Sequence, residues 1–252
     1  MMLSKNRKIF YPIIIFILLV LSACVLPWAP KTNENIVEIT PPVVEPQDLS
    51  PFRSVGCDWQ NENSAICPEE SIPYKMGCDS LSTAPEFLRL LDQEQQFVIC
   101  SYYQNLTNIS EDPQPKSLWI DGCKDIVRQR VLTYHDGDYL LIRDIEDLKY
   151  HFAPITSPEQ ALGYAIAATG YNPRFDLEDL KEYRILTDQL HETNVELVND
   201  GYEMTLFSQQ ICGCGPHTTY QIKAKVTTAG DVLIIDSIPA FENPDEDTLC
   251  VD

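Results

Sequence analysis

Eight of the chain's nine cysteines fall into two odd-numbered groups, and that parity restricts the folds open to it more than any other feature. Cys57, Cys67, Cys78, Cys100 and Cys123 precede residue 124, whereas Cys212, Cys214 and Cys250 follow residue 211. If all eight pair, at least one disulfide must join the two groups, because neither odd set can close on itself. Cys212 and Cys214 are separated by Gly213 alone, and a bond between them would close a ring that disulfide geometry disfavours. Each is therefore expected to bond elsewhere. The last strand read below brings the chain back toward this loop, so Cys250 is expected to bond Cys212 or Cys214, leaving the other for an N-terminal cysteine. The rest of the connectivity stays open, since eight cysteines allow many pairings.

The N-terminus bears on whether the cysteines oxidise. Lys5, Arg7 and Lys8 are followed by a mostly apolar run from Ile9 to Ala23, which is the anatomy of an export signal. The run falls short of the roughly 20 residues a comfortable membrane span needs, and exported chains meet conditions in which disulfides persist. The run closes on Leu21-Ser22-Ala23-Cys24, and here the chain resembles a bacterial lipoprotein at its lipobox. The resemblance implies diacylglycerol transfer to the Cys24 thiol, cleavage before Cys24 and a mature chain that begins there. It further implies a protein held by its acyl chains on the extracytoplasmic face of a membrane, with the covalent lipid on Cys24 as its only attached group. Two acyl chains anchor stably where one does so only marginally.

With 38 acidic residues against 18 basic ones the formal charge is -20, and removing residues 1–23 with their three cations takes it to -23. A field of that sign repels phosphate backbones, so nucleic-acid binding is excluded as an expected role. From Val25 to Ser54 the hydrophobic periodicity stops, and Pro27, Pro30, Pro41, Pro42, Pro46 and Pro51 fall within it. A proline-rich tether extends roughly 3.1 Å per residue, so residues 24–54 would hold a folded part up to about 90 Å from the membrane. The proline pair argues against a strand in the apolar stretch at 37–46.

Beyond the tether the expected fold is α+β: a buried helix packed on an antiparallel β-meander over residues 153–252, preceded by a smaller disulfide-rich α+β module over 55–152. Ser157-Pro158-Glu159-Gln160 spells a helix start, with Ser157 as N-cap, Pro158 in the first turn and Gln160 in a capping-box position. Gly170 supplies the stop. Alternation then predicts strands at 183–187, 193–198, 202–208, 218–227 and 231–237, with tight turns at Asn199-Asp200-Gly201 and Thr228-Ala229-Gly230. In the earlier module, 97–103 reads as a strand and 127–134 with 139–143 as a hairpin through His135-Asp136-Gly137-Asp138. Residues 82–91 and 144–152 read as short helices. A helix followed by a meander resembles cystatin-like and PepSY-type folds, by pattern and without a shared motif. From that resemblance an inhibitor or chaperone role for envelope proteases would follow.

One segment invites a chemical reading. Ile211-Cys212-Gly213-Cys214-Gly215-Pro216-His217 groups two sulfurs and an imidazole in a glycine-rich loop. With free thiolates, Cys212, Cys214 and His217 could ligate zinc or copper(I), or pair a thiolate nucleophile with His217. Three ligands do not complete a structural zinc site, and export favours disulfides. His191-Glu192 lacks the second histidine of a metalloprotease helix, and neither a serine-hydrolase elbow nor a phosphate loop occurs. The expected role is a non-catalytic binding or structural module at the cell envelope, with an envelope protein or small ligand as partner and no catalytic, cofactor or metal residues. The alternative is redox or metal chemistry at Cys212, Cys214 and His217.

Overall fold

The computed structural model describes Ile36–Val37, residue 44, residues 46–103 and residues 116–251. The expected export signal, Cys24 and most of the expected tether lie outside the described residues, as do residues 104–115. The molecule mixes helix and strand, with antiparallel strands predominating.

The first sheet is built from β2 (Asp58–Trp59), β3 (Ser64–Ile66), β4 (Ser80–Thr83), β5 (Gln96–Tyr103), β6 (Trp119–Asp121), β7 (Val127–His135) and β8 (Asp138–Ile142). Its order is β2-β3-β4-β5-β7-β6, with β8 also paired to β7. The β7–β8 hairpin forms at the expected place, with His135 opposite Asp138. Asp136 and Gly137 both take positive φ, 49° and 97°, the turn whose twist matches that of the strands it joins.

Both faces of this sheet are buried, and that explains why it is hard to read from sequence. In β5, Phe97 and Ile99 face one apolar cluster while Val98 and Cys100 face another, and in β7 Val131 and Leu132 divide the same way. A strand covered on both sides shows a continuous apolar run in place of alternation. The outer cover comes from Phe52, Val55 and the disulfides Cys57–Cys67 and Cys78–Cys100. The folded part thus begins earlier than the expected tether end at residue 54. A one-turn helix, α1 (Ser50–Arg53), with Pro51 in its first turn, buries Phe52 completely. Gln47 exchanges two 2.8 Å hydrogen bonds with the Phe97 backbone. Proline density marks extended chain, but a large apolar side chain among the prolines still buries wherever a sheet face is open.

The expected helix over 82–91 is corrected. Residues 80–83 form strand β4, and a 3-10 helix runs over Glu86–Leu91. Pro85 separates the two, because a proline restricts the residue before it to extended backbone.

After α2 (Ile72–Lys75) and α3 (Ile145–Phe152) comes the central helix, α4 (Pro158–Thr169). The Ser157 hydroxyl accepts from the Gln160 amide at 3.1 Å, and Gly170 closes the helix at φ 70°. All residues from Ala161 to Ala168 are buried. Gly163 is required by close approach, since a Cβ there would collide with the backbone of Leu90 and Leu91. Tyr164 is fully buried, its hydroxyl donating to the Gly230 carbonyl at 2.8 Å, and burial pushes the phenol well above its usual range.

The second sheet follows β1 (Ile36–Val37), β9 (Arg184–Ile185), β10 (Val195–Val198), β11 (Gly201–Gln209), β13 (Thr218–Thr227) and β14 (Val232–Glu242) in the order β1-β10-β11-β13-β14-β9. The consecutive run β10-β11-β13-β14 is an antiparallel meander, and the helix packs on its inner face through Tyr202, Met204, Leu206, Ala224 and Val226. Two expectations change. Residues 183–187 yield only the two-residue β9, which joins beside β14 and not beside β10. Residues 36–37, where the prolines argued against pairing, add an edge strand to β10. A third, two-stranded sheet pairs β12 (Gly213–Cys214) with β15 (Cys250–Val251). The main core is continuous, drawing on residues from Leu88 to Val226 and on both large sheets.

Candidate functional site

The loop at 211–217 assembles, but into a staple. Cys123 bonds Cys212 and Cys214 bonds Cys250, so the two neighbouring sulfurs go to different partners and one bond joins the two cysteine groups. Cys250 takes one of the two partners expected for it. The β12–β15 pairing sets Cys214 opposite Cys250. His217 is 2% exposed, its Nε2 3.2 Å from the Gly213 carbonyl and its Nδ1 3.4 Å from Glu246 Oε2. The Gln209 side-chain amide donates to the same carboxylate oxygen at 3.0 Å. His217 therefore ties the 211–217 loop to the segment before Cys250. With both sulfurs in disulfides, the loop holds no thiolate to attack a substrate or ligate a metal. Among the described residues, no group of three His, Cys, Asp or Glu side chains comes close enough together to hold a metal ion.

A concave feature lies elsewhere, on the outer face of the second sheet. The alternation that sends Ile222, Ala224 and Val226 inward sends Gln221, Lys223 and Lys225 outward. Register places Glu203 beside Lys225 and Thr205 beside Lys223 on β11, and Asp236 beside Lys223 on β14. The chain between β9 and β10 crosses this face. The His191 amide donates to Gln221 Oε1 at 2.7 Å, and Gln221 Nε2 donates to the Gln189 carbonyl at 3.0 Å. Below that crossing a groove of about 270 Å³ remains, lined by His191, Glu196, Glu203, Thr205, Lys223 and Asp236 among others.

Its charges are unbalanced. Lys223 contacts Glu203 at 2.7 Å, and that hydrogen bond raises its pKa, with Glu196 and Asp236 adding to the effect. Lys225 contacts Asp200 at 2.5 Å. Four carboxylates, Glu196, Asp200, Glu203 and Asp236, thus accompany two lysines, and the face attracts cations. The far end of the same face is closed by Phe207, Phe241 and Leu180.

Sequence reading reached the alternation in β13 but not the groove. Its signal lies in the exposed faces of several strands, and only their register brings those residues together. Among the described residues no helix is long and apolar enough to cross a membrane. No family model, curated protein or solved structure matches the chain.

Proposed function

We propose that the chain is a lipid-anchored, extracytoplasmic lipoprotein that binds a partner without transforming it. Residues 1–23 serve as the export signal and Cys24 carries the diacylglyceryl group. The second sheet presents the recognition surface. The fold is read as α+β, with residues 55–152 as a disulfide-rich module and 153–252 as the helix on its meander. The anchor rests on Leu21-Ser22-Ala23-Cys24 after a basic, apolar leader. Four disulfides accord with export. The observation that carries the binding role is the acidic groove on a face that the helix leaves open.

Because Ile36–Val37 already pairs in the sheet, residues 24–35 are what the chain has left to serve as tether ahead of that strand, at most roughly 40 Å if extended. The partner is an envelope protein or a small ligand, and the acidic surface disfavours nucleic acid.

The test is metabolic labelling with an alkyne fatty acid, followed by fractionation. The wild-type chain should carry label and sediment with membranes. A Cys24→Ala chain should lose the label and the processing. Equal labelling of both would overturn the anchor. For the surface, a Glu203→Lys/Asp236→Lys chain should lose affinity for cationic ligands while keeping its four disulfides, and unchanged affinity would remove the groove from the site.

A further inference from the structure

The open edge of β14 sits beside the groove and has an unusual composition. β9 pairs only with Phe241 and Glu242, and the adjoining Leu186 amide reaches the Ala240 carbonyl. From Val232 to Ile238 no described residue pairs with that edge. At roughly 3.3 Å per residue the open stretch is about 20 Å long. Leu233, Ile234 and Ile235 are 53%, 47% and 48% exposed, three consecutive apolar residues facing solvent. Edge strands of this kind are templates for another chain, and proteins ordinarily blunt them with charge or cover them. At the opposite side of the same sheet, β1 pairs with Val195 and Glu196 of β10.

We infer that the β14 edge takes up an extended, basic polypeptide segment of another protein as an added antiparallel or parallel strand. This inference rests on the binding reading above and names the partner's chemistry. The side-chain pattern follows from register. Leu233 and Asp236 lie opposite Lys225 and Lys223 and so share the outer face with them, whereas Ile234 and Ser237 lie opposite Ala224 and Ile222 on the inner face. A strand laid against this edge meets apolar side chains at Leu233 and Ile234 and a carboxylate at Asp236. Its matching sequence sets basic residues on the outer face, toward Asp236, and apolar residues on the inner face, toward Ile234.

Charge disfavours a second copy of this chain as the occupant. Each copy carries a formal charge of -20, so like fields would meet across the contact. The register shift between Lys223 and Ala224 leaves Ile235 as a bulge on β14, so an added strand pairs on either side of it, along 232–234 and 236–238.

The experiment uses the oxidised chain and three capped eight-residue peptides. One alternates lysine and valine, one alternates glutamate and valine, and one is the basic peptide with its two central valines replaced by proline. Affinity is read by calorimetry and the site by amide hydrogen exchange. The basic alternating peptide should bind at least about tenfold tighter than either control and slow exchange across residues 232–238. Replacing Leu233, Ile234 and Ile235 together by serine should weaken it at least about tenfold without altering the disulfides or circular dichroism. Asp236→Lys should shift preference toward the acidic peptide.

Equal binding of the proline-containing peptide, or no effect of the serine variant, would reduce the attraction to unspecific charge and overturn the inference. Protection confined to Glu196 and Glu203 would move the partner to the groove, leaving the binding reading standing and removing the edge. Dimerisation with edge protection in the absence of peptide would make the occupant a second copy and overturn the assignment of a basic partner. No binding by any peptide, at either place, would count against both readings.

Discussion

The two large sheets use the same antiparallel pairing and differ in how many faces they bury. In the first, Val98 and Leu132 point into one apolar cluster while Ile99 and Val131 point into the other. In the second, Met204, Leu206, Ala224 and Val226 point to the helix, while Glu203, Thr205, Lys223 and Lys225 point outward. A doubly buried sheet is scaffold, since any ligand would have to displace core. A singly buried sheet has a face to spare, and this one has an open edge as well. On the proposed binding role, the difference puts recognition on the second sheet and stability in the first.

The most severe way to break that division is to cut the bond that joins the two cysteine groups. Cys123–Cys212 closes a sequence separation of 89, against 10 for Cys57–Cys67. On the loop-entropy rule, Cys123→Ala/Cys212→Ala should lose about 4–5 kcal/mol and Cys57→Ala/Cys67→Ala about 3 kcal/mol. Denaturant titration of the two double variants checks the order, and equal losses would speak against it. A sharper contrast sets Phe52→Ala against Thr205→Ala. Phe52 is fully buried over the first sheet, and its truncation should cost about 3–5 kcal/mol. Thr205 lies on the groove, and its truncation should stay within about 0.5 kcal/mol. Equal losses would mean that the outer face is packed after all.

A Gly163→Ala chain probes the helix that serves both sheets. The added methyl meets the backbone of Leu90 and Leu91, and overpacking of this kind costs about 1–3 kcal/mol. The melting temperature should fall, and a rise would show room where none is described. The smallest effect concerns acid. The Arg143 hydrogen bond holds the Asp147 carboxyl below its usual range. A depressed carboxylate contributes stability that is present above its unfolded value of about 3.9 and is lost as pH falls through the lower folded value. Asp147→Asn should therefore cost less than about 1 kcal/mol at neutral pH. Its gap to wild type should close as pH falls below about 3.9 toward the lower folded value, and a gap that widens in acid would contradict the assignment.

These regions also differ in how legible they are in sequence. Helix α4 can be read because Ser157, Pro158, Gln160 and Gly170 each act locally, and the structure uses the cap and the stop as written. The β7–β8 turn is local too. What resists reading depends on distant partners. Ile36–Val37 pairs because the β10 edge is open, and Phe52 buries because the first sheet needs a second cover. Cysteine parity requires a bond between the groups without naming Cys123. The groove needs the register of four strands at once, and the apolar run at Leu233-Ile234-Ile235 reads equally well as core until its neighbours are counted. The segment that looked most chemical, Cys212 to His217, is held by two disulfides and the His217 contacts.

The most direct test is the intact mass of the membrane-extracted chain, alkylated before and after reduction. The account predicts residues 24–252 plus a diacylglyceryl mass and its acyl additions. No alkylation should occur before reduction, and eight sites should react after it. A chain that keeps residues 1–23, or one whose Cys212 and Cys214 alkylate without reduction, would contradict it.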